Sequence, residues 1–180
     1  MANQRALGIA GPNPVQIRSY PVKSGATFIQ GDFVILTSTG LDSAAAAGNN
    51  FANPTSNAVR IVGRAIDPAL VQDGSGAQAT YAAVEMAAPG VWFQIPLYSA
   101  TPASAVPTIT QIGTKYGGRQ VTAGFPSVNL DDTSNVVFMV TDFDPNDFTA
   151  WPGSVGPGTT QYANVYAEVL AAASLATGAR

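Results

Sequence analysis

The chain has 180 residues and contains neither cysteine nor histidine. Without cysteine there is no disulfide, no thiolate nucleophile and no thiolate-held zinc or iron–sulfur cluster. Without histidine there is no Ser-His-Asp triad, no Cys-His pair and no imidazole ligand. Eleven carboxylates, eight Lys and Arg side chains and the hydroxyls are left for chemistry. The first expectation is therefore a protein that is not an enzyme, with no catalytic residue, no cofactor and no metal assigned. Charge is scarce too. Charged residues make up 11% of the chain, where about 25% is usual for a soluble domain. The net charge of −3 is small and of the wrong sign for gripping phosphates, so no nucleic-acid partner is expected. No run of about 18 apolar residues occurs, so no membrane span is expected. Met1 to Pro14 lacks the apolar stretch of a secretory signal.

What is present is apolar and turn-rich. Hydrophobic residues are 46%, with 18 Gly and 13 Pro, in a length that suits one domain with its own core. Residues 15–20 (VQIRSY) alternate as a half-buried strand does. Gly31-Asp32 fits a two-residue hairpin turn with glycine first. The run Phe33-Val34-Ile35-Leu36 is apolar on both faces, as in a strand sandwiched between layers or inside an assembly. Residues 42–57 are small and polar and read as a loop. Val59 to Asp67 resumes the alternation, with Ile61, Gly63 and Ala65 on one face and Arg60, Val62, Arg64 and Ile66 on the other. Residues 79–88, Pro89-Gly90 and VWFQIPLY read as strand, turn, strand, with Pro96 at an edge or a strand end. Residues 108–122 form two short segments around Gly113 and Gly117-Gly118. Asn135 to Asp142 is a strong strand, and Asp144 to Pro157 is an irregular loop. Tyr162 to Leu170 matches both a helical stripe and an alternating strand, and its β-branched and aromatic content favours the strand.

Eight or nine short strands at this spacing predict an all-β protein, a small β-barrel or sandwich. Residues 15–170 form that domain. Residues 1–14 form an extended N-terminal arm, because Pro12 and Pro14 forbid a helix, and residues 171–180 form an Ala-rich tail.

Few groups present themselves as a site. Asp142-Phe-Asp144-Pro-Asn146 resembles the opening of an EF-hand loop, but Asp147 stands where glycine is needed and Gly153 where the bidentate Glu is needed. The stretch from Asp131 to Asp147 is therefore expected to face solvent or a basic partner. Glu85 reads as an outward-facing strand carboxylate, and the Gly113 to Arg119 segment as a basic hairpin turn rather than a phosphate loop. Interface candidates are Leu7, Ile9, Pro12 and Pro14 in the arm, together with Arg60, Arg64 and Trp92. Leu7 and Ile9 lie two apart and project to one side of an extended arm. Arg60 and Arg64 share a face from which they can grip a neighbour's carboxylate, although a solvated face is the commoner arrangement. Of Trp92 and Phe93, adjacent on a strand, one belongs to the core and the other is a contact anchor.

The segment order resembles the small β-barrel head decoration, or cement, proteins of tailed bacteriophages. The resemblance is carried by Ser24-Gly25-Ala26 through Gly31-Asp32 to Leu36, Thr39-Gly40-Leu41, Ile61-Val62-Gly63-Arg64-Ala65 and the Val84 to Phe93 hairpin. It continues with Gln111-Ile112-Gly113, Lys115-Tyr116, Val136 to Asp144 and Tyr162 to Leu170. It implies a structural virion protein that is made in the host cytoplasm and binds the outer capsid surface. It also implies the major capsid protein as partner, self-association as a homotrimer, and no catalytic site to carry over. A tail or baseplate structural protein and a carbohydrate-binding β-sandwich using Trp92 and Trp151 are the alternatives. A hydrolase working with carboxylates alone ranks below them.

Overall fold

A computed structural model describes residues 8–9, 12–51, 60–71, 76–101, 104–143 and 163–170. These residues are nearly all β. Their strands are β1 (Gly8–Ile9), β2 (Ile17–Pro21), β3 (Phe33–Thr37), β4 (Gly40–Ser43), β5 (Ile61–Ala65) and β6 (Tyr81–Met86). β7 (Trp92–Tyr98), β8 (Lys115–Thr122), β9 (Phe125–Asn129), β10 (Phe138–Phe143) and β11 (Asn164–Val169) follow. A 3₁₀ turn, Ile109–Gln111, lies between β7 and β8.

The strands form two rings. In the first, the order β7-β11-β10-β8-β9 closes on itself, because β9 pairs back onto β7 in parallel through Leu97↔Val128 and Tyr98↔Asn129. In the second, β2-β6-β5-β3-β4 is closed at one point by a parallel bridge between Val22 and Leu41, with Lys23 N donating to Leu41 O at 3.0 Å. Each ring has its own core. Phe93, Ile95, Leu97, Val128, Phe138, Val140, Val165 and Ala167 fill the first. Val34, Leu41, Val62, Ala82, Val84 and Met86 fill the second, closed off by Phe28 and Ala69 from the connecting loops. Small closed rings bury their sheet edges, which suits a chain with few charges to protect such edges.

β3 joins the two cores. Val34 points into the second ring, while Phe33 and Ile35 belong to the core of the first. The Phe33 ring meets Phe93, Phe138 and Phe51 edge-on, with centroids 5.3, 5.1 and 6.0 Å apart. Edge-to-face pairs of this kind contribute about 0.5–1.5 kcal/mol each beyond their burial. The two-sided apolar run is thus a strand sandwiched between layers of its own molecule.

Several local expectations need correcting. Gly31-Asp32 does not turn a hairpin. Gly31 takes a positive φ of 98° and donates to Ala65 O, and Asp32 turns its carboxylate inward. Pro96 does not end a strand; it lies inside β7. The N–H of Leu97 points to β11, donating to Ala163 O. Successive strand N–H groups alternate between edges, so the donor missing at Pro96 faces the other side. There β1 has already stopped at Trp92 and Phe93, and β9 begins only at Leu97. Gly117 and Gly118 are not a turn but the middle of β8. A Cβ on Gly117 would lie 2.7 Å from the Asp132 carboxyl carbon, and one on Gly118 would lie 2.3 Å from the Phe51 ring. Both glycines are required by neighbours on opposite faces of the strand. Of the stretch 162–170, the described residues 163–170 form a strand from Asn164 to Val169, as their β-branched content implies.

Candidate interaction surfaces

The arm reaches the first ring through its backbone. Gly8 and Ile9 pair antiparallel with Phe93 and Trp92, so β1 extends the sheet at one end of β7. Further along, Asn13 is pinned to the β6–β7 turn. Its N donates to Gly90 O at 3.3 Å, and its Nδ2 donates to Pro89 O at 2.7 Å. Pro12 and Pro14 flank this anchor and are exposed. Leu7 lies outside the described residues. Trp92 is half-buried while Phe93 is fully buried, so the split between the two adjacent aromatics falls with Phe93 in the core. Arg60 is half-buried at the foot of β5.

Arg64 is not on a solvated face. Its side chain is only 3% exposed. The cause is a β-bulge: Val34 pairs with Gly63 and Ile35 with Ile61, leaving Val62 as the extra residue. Val62 and Gly63 then both face the second core, and the alternation read from the sequence is inverted from Gly63 onward. Arg64 lies opposite Phe33 on one side and Glu85 on the other. Its Nε donates to Glu85 Oε2 at 3.0 Å, and its Nη2 also reaches that oxygen. Glu85 is correspondingly not a free outward carboxylate. Burial pulls the Arg64 guanidinium below its ordinary pKa, and the charge and hydrogen bonds of Glu85 oppose that shift. Nη1 is buried without a partner.

A second buried polar group ties the rings together at another point. Asp32 Oδ1 accepts from Gln120 Nε2 and from Gly124 N at 2.7 Å, and Oδ2 accepts from Ile29 N at 3.0 Å. Gln120 Nε2 also donates to Thr122 O at 2.8 Å, while its Oε1 is buried without a partner. Burial pushes the Asp32 carboxyl above the usual carboxylate range, against the lowering effect of its hydrogen bonds from Ile29, Gly124 and Gln120.

The acidic stretch divides. Asp131 and Asp142 are exposed, but Asp132 is buried. Its Oδ1 accepts from Ser134 N at 3.1 Å and Asn135 N at 2.9 Å, an Asx-type turn that makes its burial affordable. Asp144 and Asp147 lie outside the described residues, as does Trp151. Among the described residues no three Asp or Glu side chains gather as a cation would require.

On the outer face of the first ring, Tyr98, Asn129, Arg119 and Asn50 stand together. The Arg119 guanidinium carbon lies 4.8 Å from the Tyr98 ring centroid. Arg119 Nη1 donates to Asn50 Oδ1 at 3.1 Å, and Asn129 Nδ2 donates to the same oxygen at 3.2 Å. Sequence reading missed this group, because it assembles from four segments: Tyr98 lies on β7, Arg119 on β8 and Asn129 on β9 between them, and Asn50 comes from the loop after β4. Exposed apolar side chains are the other outward feature: Ile17, Tyr81, Ile109 and Phe125 are each more than half exposed.

No protein-family model, no curated protein and no solved structure matches this chain.

Proposed function

We propose that this protein is a structural virion component, a capsid decoration protein that binds the outer surface of a shell as a homo-oligomer and clamps neighbouring capsomers. One observation carries the reading. The half-buried and buried ionic groups Arg64, Glu85, Asp32, Asp132 and the Lys23–Asp42 pair are all engaged in holding the rings and turns together. Large apolar side chains nevertheless face outward, with Phe125 55%, Tyr81 62% and Ile109 64% exposed. A protein built to be covered carries its unspent apolar surface outside in this way. The trimer and the major capsid protein as partner come from the resemblance in segment order alone.

The experiment is to look for the protein in purified particles and to measure its mass in solution by light scattering. The reading expects stoichiometric copies on the capsid exterior and a mass above that of one chain. A strict monomer at micromolar concentration that is missing from particles overturns it. If the exposed Asp131 and Asp142 meet a basic shell, attachment weakens as salt rises past about 0.15 M, where the screening length is roughly 8 Å.

A further inference from the structure

We propose that Arg119, held against Tyr98 on the outer face of the first ring, is a docking site for a carboxylate presented by a partner protein. The guanidinium is fixed on two sides. Tyr98 supports its plane at 4.8 Å from the ring centroid, and Asn50 takes a hydrogen bond from Nη1 at 3.1 Å. Asn50 is itself fixed by Asn129, which is buried in the wall of the ring. A guanidinium stacked on an aromatic and steered by an amide has lost most of its rotamer freedom before any ligand arrives, so binding costs less entropy.

The remaining donors of this fork are not spent within the molecule. Both ion pairs among the described residues, Lys23–Asp42 and Arg64–Glu85, lie elsewhere. Directly opposite Arg119 on β9 is Ser127. Opposed residues leave the same face of a ribbon, with their Cβ atoms about 5 Å apart. The Ser127 hydroxyl is buried and has no hydrogen-bond partner. That hydroxyl is shielded from solvent, so what is offered to a ligand is the fork itself, half-buried and held in place with donors to spare. The ligand is a carboxylate rather than a phosphate. Asp131 stands close by on the same wall, its N donating to Asn129 Oδ1 at 3.2 Å, and its negative charge disfavours a dianion more than a monoanion. A planar carboxylate also matches the two parallel N–H groups of a guanidinium edge.

The site is independent of the shell reading, and it is tested on the isolated full-length chain. N-acetyl-aspartate amide is titrated against isotope-labelled protein while the backbone amide resonances of Tyr98 and of residues 118–120, present in the wild type and in every variant, are followed. The expected result is a saturable shift with a midpoint on the order of 10 mM, the affinity of one charge-assisted bidentate contact. Arg119→Lys, which keeps the charge and loses the fork, abolishes saturation, and Asn50→Ala, which frees the fork, raises the midpoint several-fold. Circular dichroism of both variants checks that they fold. A wild-type shift that never saturates, a shift that survives Arg119→Lys, or tighter binding of inorganic phosphate each overturns the proposal.

Discussion

Arg64 on β5 of the second ring lies over the ring of Phe93 on β7 of the first, 5.4 Å from its centroid. The contact carries a cation across the seam between two cores, and Glu85 behind it supplies the balancing charge. Such a buried pair is a weak source of stability, since desolvating both charges offsets most of their attraction. Breaking it is costly. Glu85→Ala leaves Arg64 as an uncompensated buried charge and is expected to destabilise the protein by about 3–5 kcal/mol in urea unfolding. Replacing both, as Arg64→Met with Glu85→Leu, is expected to recover most of that loss. A double variant as unstable as Glu85→Ala alone would show that the pair itself holds the rings together.

Asp32 makes the stability of the seam depend on pH. Its folded-state pKa is raised, so folding favours the protonated carboxyl. The contribution is fully present below the unfolded-state pKa and is lost as pH rises through the raised folded value. Asp32→Asn removes this titration and nothing else that titrates. The difference in unfolding free energy, wild type minus Asp32→Asn, is therefore expected to fall as pH rises from the ordinary carboxylate range, 3.8 for a free Asp, through the raised folded value. A difference that rises with pH would mean that the three hydrogen bonds outweigh burial at this carboxylate.

Much of the fold was legible because alternation is a local signal. VQIRSY, FVIL, VWFQIPLY, NVVFMVTD and the final strand all lie where periodicity puts them. The all-β class followed from these segments. What was not legible depends on partners distant in sequence. Asp32 reads locally as a turn residue, yet its partners Gln120 and Gly124 are 88 and 92 residues away. β8 and β9 were hidden for the same reason. Gly117, Gly118 and Pro126 are poor strand formers, and two of them are needed because Asp132, Phe51 and Phe138 crowd the backbone. The face of Arg64 was misassigned because a bulge leaves no mark in the sequence of its own strand. The doubling into two rings was not foreseen either, since ring closure rests on Leu97↔Val128 and on a single bridge at Val22.

Gly63 is where the second ring allows no side chain. A Cβ there would lie 1.8 Å from the carbonyl oxygen of Glu85, and that oxygen belongs to backbone that cannot move without breaking the β5–β6 ladder. Gly63→Ala is expected to cost at least about 4 kcal/mol, in the range where single substitutions abolish folding of a marginal domain. Thermal melting of the variant, or its loss to the insoluble fraction, measures this. A drop in melting temperature of less than about 4 °C, which corresponds to roughly 1–2 kcal/mol for a chain of this size, would mean that the bulge at Val62 can slide to make room.

The arm offers a test in which folding and assembly separate. Deleting residues 2–12 removes β1 and so uncovers the edge of β7 at Trp92 and Phe93, but it removes no strand of either ring. It leaves Asn13 and its two hydrogen bonds to the β6–β7 turn in place. The far-ultraviolet spectrum should therefore stay that of an all-β protein, with a melting temperature lower by a few degrees for the loss of one short pairing. An uncovered edge invites pairing with another chain, so the truncated protein is also expected to aggregate faster at high concentration. If Leu7 and Ile9 engage a neighbour, each adds roughly 1–2 kcal/mol of apolar burial per copy, and occupancy on purified particles falls on truncation. If occupancy holds while the melting temperature drops, the arm serves only to cap its own β7 edge, and the clamp between subunits has to be sought on the exposed apolar side chains around Phe125 and Tyr81.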